Sequence, residues 1–278
     1  MTTLALAAPR AASGGVVRIF RDGGVITWRN LLNIRRNPDM LLASTVQPIM
    51  FVLLFAYVFG GQLGGEAYRQ FLMGGIFAQT VGFNAAFTTI GLANDLHKGI
   101  IDRLRSLPMS RLAVILGRTT SDLVVSAVGL LVMSLCGLLI GWRLHTSFGE
   151  IVLGYLLLLL FAFAVSWIGA LIGLAARSVE VAQSAGLIWL FPVTFISSAF
   201  VSVDTMPGPL KAIAHWNPIT TVANAARKLF GNSVPPSFPK PSGWPVDNAV
   251  LYSAIAAIVI IAVFMPLAVA RYRRVSAY

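Results

Sequence analysis

The residues with the clearest chemical pattern lie in one polar stretch, Asn94 to Pro108, between two long uncharged runs. Ile100, Ile101, Leu104 and Leu107 recur at i, i+1, i+4 and i+7, the spacing of one helical face. Asp102, Arg103, Arg105 and Ser106 take the other face, and Pro108 stops the helix. The pattern predicts a short, rigid amphipathic helix. A soluble partner could hold it by its apolar face and steer it by its charges. The competing expectation is a loop helix lying on lipid headgroups.

A second group of polar residues falls inside the uncharged runs. Thr80, Asn84 and Thr88 stand at i, i+4 and i+8 and form one polar stripe on an apolar helix. Gln47 and Gln183 are isolated polar residues in two other runs, and Trp189, Phe191 and Phe195 surround Pro192. In lipid, such polar groups need protein or water partners. They either line a path for substrate or bond helix to helix, and the aromatics face either substrate or lipid.

Other reactive chemistry is not legible. There is no GxxxxGK[ST] phosphate loop, so the chain is not expected to hydrolyse ATP itself. Neither a GxSxG nucleophile elbow nor an HExxH zinc motif occurs. His97, His145 and His215 fall in three loops; His145 and His215 share a side but read as incidental rather than as a metal pair. Cys136 is the one cysteine, which excludes a disulfide within the chain. No metal or cofactor is expected in the chain.

The elements that must position these residues follow from composition. The 278 residues are 57% hydrophobic and 11% charged, with a mean hydropathy of +0.79. A soluble domain carries about a quarter charged residues, so much of this surface must face lipid. Six uncharged runs stand out: 40–65, 70–94, 123–142, 151–176, 181–203 and 248–270. Each reaches the ~20 residues that cross a hydrocarbon core as a helix. Period-two alternation is absent, which argues against a barrel. The spans are expected near 40–60, 70–93, 112–141, 150–175, 181–203 and 248–270.

The formal charge of +11 is explained by the positive-inside rule rather than by nucleic acid. The basic residues before the first run, between the second and third, and after the sixth outnumber those on the other face, so both termini are expected to be cytoplasmic. No ionisable side chain falls within the six runs apart from Cys136 and tyrosines. Ion-coupled carriers usually hold charged groups in the membrane. If this chain pumps, its free energy is expected to enter from outside the bilayer.

Residues 1–15 read as a disordered tail. Over 16–37, Val25, Trp28 and Leu32 with flanking Arg29 and Arg36 predict an amphipathic helix on the membrane surface, ended by Asn37-Pro38. Gln47-Pro48 predicts a kink in the first span. The loop 204–247 holds eight of the fourteen prolines, yet Leu210 to Phe230 reads as two short helices broken at Asn217-Pro218. These either dip into the membrane or lie on its outer surface. Gly137-xxx-Gly141 and Gly169-xxx-Gly173 predict close helix packing within the chain.

The runs GIIDRLRSLPMSR (99–111) and LGRTTSDL (116–123), then MPGPLKAIAHWNPIT (206–220) and AARKLFGN (225–232), resemble the type-2 ABC exporter permeases, most nearly the daunorubicin-resistance branch. The resemblance covers most of the chain apart from 1–15 and 233–247. It implies an all-α polytopic protein with one permease domain over 16–278. That domain would have six spans, an N-terminal interfacial helix and two short helices before the last span. It implies a dimer with the same or a homologous chain, in a bacterial plasma membrane. Two separately encoded ATPase subunits would carry ATP and Mg and grip 94–108 as a coupling helix, with Gly99, Leu104, Arg105 and Pro108 as the positions of most weight. The cargo would be a hydrophobic compound: drug, polyketide or lipid. Two rival readings remain: a stand-alone secondary transporter or channel, which predicts flux without an ATPase, and a lipid-acting membrane enzyme, which predicts dependence on His145 or His215.

Overall fold

The computed structural model describes residues 16–36, 38–106, 109–232, 234–236, 238–239 and 241–275. These residues form helices and turns, with no strand among them. The expected tail over 1–15, the junction residue Asn37, and Leu107 and Pro108 fall outside the described residues.

Helix α1 (Val16–Arg36) precedes α2 (Pro38–Leu53), which holds Pro48 inside it and continues as a π-helical turn, Leu54–Val58. A short α3 (Gly60–Leu63) then turns at Gly64 and Gly65, both at positive φ, into α4 (Gly65–His97). Only glycine takes that left-handed pair without strain. There follow α5 (Ile100–Ser106), α6 (Arg111–Leu139), α7 (Phe148–Ala175), α8 (Val179–Phe195), α9 (Gly208–His215), α10 (Pro218–Phe230), α11 (Trp244–Asp247) and α12 (Ala249–Val275).

Among the described residues, α4, α6, α7 and α12 are long and apolar enough to cross a membrane. Thr45–Val58 and Val179–Phe195 are shorter apolar helices. The chain is therefore multi-pass; α2 with its π-helical turn runs to Val58, close to the expected first span, while the fifth expected span is shorter than drawn from the sequence.

Helix α4 is the axis of the structure. Its middle is buried from Phe71 to Ala86 and carries much of the main apolar core. Its neighbours come close because small residues face one another. A Cβ on Gly169 of α7 would overlap the Ala85 carbonyl of α4, and one on Gly173 would overlap that of Thr89. Close packing within the chain thus accounts for this motif. Gly169→Leu is expected to cost about 1–3 kcal/mol by overpacking, read as a lower Tm of the purified protein in detergent; an unchanged Tm would refute the contact.

The fifth span ends earlier than expected, at Phe195 rather than 203. Residues 196–202 leave the helix, and side chains from both earlier and later in the chain satisfy carbonyls there and at the helix end. Asn217 donates its side-chain amide to Val193 O and Ile196 O, both at 2.6 Å. Tyr68 Oη donates to Phe200 O at 2.9 Å. A broken helix at membrane depth is tolerated only where protein supplies such partners.

The two short helices between spans five and six take different places. Asn217 caps α10 through Ile219 N at 2.9 Å, and Pro218 opens it, so the break falls where the sequence put it. Helix α9 leaves Ile213 and Trp216 exposed. Helix α10 is sunk into the core against α4, α7 and α12.

Candidate functional site: the α5 turn, a polar seam and an aromatic ladder

Gly99 ends α4 with φ +65°, and its amide bonds back to Leu96 O at 3.1 Å. This reverses the chain into α5, whose first turn closes when Arg103 N donates to Gly99 O at 3.2 Å. Ile101 is 2% exposed and belongs to an apolar cluster with Ile26, Leu92, Ile115 and Trp167. Leu104 packs partly buried against the same cluster, and Ile100 is half-buried. Asp102, Arg103 and Ser106 are exposed.

The sequence pattern is thus correct in its two faces but not in which one is free. The apolar face is held by the protein's own core, because the turn at Gly99 lays α5 back on α4. What it leaves exposed is the charged face. The Arg105 side chain, with Leu107 and Pro108, falls outside the described residues. Nearby, Glu180 is fully exposed at the start of α8, and a hydrogen bond from the Ser178 side chain, then a backbone amide, hold its carboxyl below the usual glutamate range.

Above α5 runs a polar seam that joins α1, α4 and α6. The stripe on α4 lies along it and is used for helix–helix bonding. Thr88 Oγ1 donates to Asp122 Oδ2 at 2.7 Å, and Asn84 Nδ2 donates to Ser126 Oγ at 2.7 Å. Thr80 donates to its own helix at Ile76 O. Asp122 is also paired with Arg118, 3.2 Å away. Gly91 makes room for that guanidinium, which donates to Phe87 O at 3.3 Å. Arg29 of α1 approaches Asp95 at 3.6 Å, and Asn30 donates to Ser121 Oγ at 3.3 Å.

The expectation of a charge-free interior therefore needs correction. Helix α6 begins at Arg111, twelve residues before the uncharged run starts at 123, and carries the buried Asp122 with its partly buried partner Arg118 into the bundle. Arg227 on α10 is a second buried charge, 3% exposed. Sequence reasoning placed it in an outer loop. The i, i+4 spacing of Arg118 and Asp122 was the available signal for the first; nothing local marks the second.

Gln47 of α2 lines a small cavity with Gln79, Thr80, Phe83, Asn84 and Phe87. Gln79, which the sequence reading passed over, is buried, and neither atom of its amide has a partner among the described residues. A buried amide of this kind calls for water or ligand. Next to it, Phe83 meets Phe191 edge-on at 5.4 Å. Phe191 stacks on Phe195 at 5.9 Å, and Phe195 reaches Phe200 at 5.6 Å and Phe51 at 6.3 Å. This aromatic ladder crosses from α4 over α8 to α2, with Phe191 and Phe195 partly exposed. Trp189 instead packs against the main core, and Gln183 is exposed near the start of α8. Of the eight path residues expected from the sequence, Gln47, Thr80, Asn84, Phe191 and Phe195 are brought together; Thr88 is drawn into the ion-pair seam.

The family model described as ABC-2 type transporter matches residues 23–230. The daunorubicin resistance ABC transporter permease protein DrrB1 of Streptomyces coeruleorubidus is 34% identical over 253 residues, 90% of this chain and 86% of its own length. The putative transport permease ycf38 of Cyanophora paradoxa is 24% identical, covering 75% and 74%. The inner membrane transport permease YadH of Escherichia coli K12 is also 24% identical, covering 71% and 79%.

Proposed function

We propose, since the chain belongs to the ABC-2 type transporter family, that it is the transmembrane permease subunit of an ATP-driven exporter. It moves a hydrophobic compound (drug, polyketide or lipid) out of the cytoplasm or inner leaflet. The observation that carries this reading is the 34% identity to a daunorubicin resistance permease over 90% of the chain. ATP and Mg are held by two partner ATPase subunits, which dock from the cytoplasm on the α5 turn. The basic residues at that end support a cytoplasmic placing of it and of both termini.

The exposed face of α5 supports one mode of docking. The ATPase reads the exposed charges Asp102 and Arg103, while Ile101 and Leu104 transmit the push because they are seated in the core. The partly exposed faces of α2 and α8, with Met50, Tyr57, Ile188 and Phe191 outward, suit a second permease across a shared path. The aromatic ladder and the Gln47–Gln79 cavity line that path. Nucleotide then biases a two-state equilibrium of the pair.

The test is the double charge reversal Asp102→Arg with Arg103→Asp, in inverted vesicles that contain the ATPase. Export of a hydrophobic dye is expected to fall by about ten-fold or more, since charge-assisted contacts carry ~1.5–3 kcal/mol, while insertion stays normal. Normal export by this variant, or export that continues without any ATPase, would refute the docking.

One observation favours a second reading. Asp122, buried with Thr88 and Arg118, is the kind of intramembrane acid that ion-coupled carriers use. A stand-alone secondary transporter predicts uptake or efflux driven by an ion gradient with no ATP present, and the same vesicles measure it.

A further inference from the structure

A cavity of about 650 Å³ opens between α1, the end of α4, α5 and α6. Its size is that of a small-molecule site. Five basic residues line it: Arg29, Arg36, Lys98, Arg103 and Arg118. Against them stand two acids, Asp95 and Asp122. Those acids are matched by Arg29 at 3.6 Å and Arg118 at 3.2 Å. The rim residues Arg36, Lys98 and Arg103 are the surplus, and all three are exposed. The floor has a different character, formed by Phe87, Val125, Leu32 and Leu104. Cationic rim and apolar floor thus occur in one concavity, beneath a helix whose Phe20, Val25 and Trp28 face outward.

We infer that this cavity binds an anionic amphiphile, with a phosphate or carboxylate head on Arg36, Lys98 and Arg103 and its hydrocarbon over Phe87 and Val125. Three features support this ligand class. A neutral hydrophobic compound would leave three cations without use at the mouth. A small inorganic anion would leave the apolar floor wet. Basic pockets between helices at the inner membrane face hold acidic lipid heads by the same combination. Two sources share this chemistry: an acidic lipid of the inner leaflet, and an acidic amphiphile arriving from the cytoplasm. The inference goes beyond export, since it concerns the chain alone and needs neither ATPase nor cargo transport.

The experiment is native mass spectrometry of the purified full chain in neutral detergent. It is titrated with phosphatidylglycerol, phosphatidylcholine, dodecyl phosphate and inorganic phosphate. Phosphatidylglycerol is expected to bind about ten- to thirty-fold more tightly than phosphatidylcholine. The variant R36Q/K98Q is expected to erase that preference while keeping the same Tm. Val125→Trp, which fills the floor, is expected to weaken every amphiphile and leave the rim charges in place. Dodecyl phosphate that displaces phosphatidylglycerol assigns the site to acidic amphiphiles of either source; phosphatidylglycerol binding alone assigns it to membrane lipid. Equal binding of the two phospholipids, a preference that survives R36Q/K98Q, or binding of inorganic phosphate alone would overturn the inference. Loss of these results leaves the exporter reading untouched, because no transport is measured.

Discussion

Arg227→Met is expected to keep the chain from reaching a stable fold, although its position lies in what the sequence presents as an outer loop. The guanidinium donates to Phe71 O at 2.8 Å, Ser198 O at 2.6 Å, Ala199 O at 3.3 Å, Ser198 Oγ at 3.0 Å and Asn224 Oδ1 at 2.8 Å. It also lies 3.5 Å over the Phe71 ring. Three of those acceptors are backbone carbonyls that no helix satisfies or that point inward from one. Methionine fills similar volume but donates nothing, so the Ser198 and Ala199 carbonyls, which lie outside any helix, stay buried and unmet, at about 1–3 kcal/mol each. With the bonds to Ser198 Oγ and Asn224 Oδ1 also lost, the total approaches the lower end of an ordinary domain's stability, about 5–15 kcal/mol. Arg227→Lys is expected to rescue only in part, since an ammonium cannot reach both sides of the fork. Yield of monodisperse protein and its Tm in detergent measure the effect. A methionine variant as stable as the wild type would remove the role given to this side chain.

Asp122→Ala carries the second-largest expected loss. Its carboxylate faces Arg118 at 3.2 Å and accepts from Thr88 at 2.7 Å. The guanidinium is seated against Gly91 and the Phe87 carbonyl on the wall of the cavity, partly open to water. Removing one member of a fully buried pair costs about 3–5 kcal/mol because the other charge is stranded; since Arg118 is partly open to water, the expected loss is at the lower end, about 2–3 kcal/mol. The double variant Arg118→Met with Asp122→Ala is therefore expected to recover much of the lost Tm. If the single variant matches the wild type, or the double is worse than the single, the stranded charge is not the cause. In the vesicles described above, the double variant also separates the two functional readings: ATP-driven export survives it, whereas ion-gradient-driven flux through Asp122 does not.

How far the sequence could be read depends on whether each feature is local. The uncharged runs located the long helices because hydropathy is a property of the segment itself. Helix α5, the amphipathic α1 and the break at Asn217-Pro218 were legible for the same reason: periodicity, proline and capping residues act over a few positions. The misreadings are all tertiary. The third span was expected over 112–141, close to α6, but the uncharged run beginning at 123 hid that its first turns carry Arg118 and Asp122, which pair with each other on one helix. The fifth span ends at Phe195, since carbonyls further on find donors in residues more than twenty positions away. Periodicity gave α5 an apolar face without saying that Leu92 and Trp167 would cover it. Gln79 was missed because its isolation is visible only once the residues around it are in place.

The bond from Arg227 to Phe71 spans 156 positions. A ribosome delivers α4 long before α10, so the surface of α4 around Phe71 and the Ser198 and Ala199 carbonyls gain this guanidinium only after both have been made. The latest-made third of the chain thus closes the interior of the earliest, and the order of synthesis becomes a constraint on assembly that the finished architecture conceals.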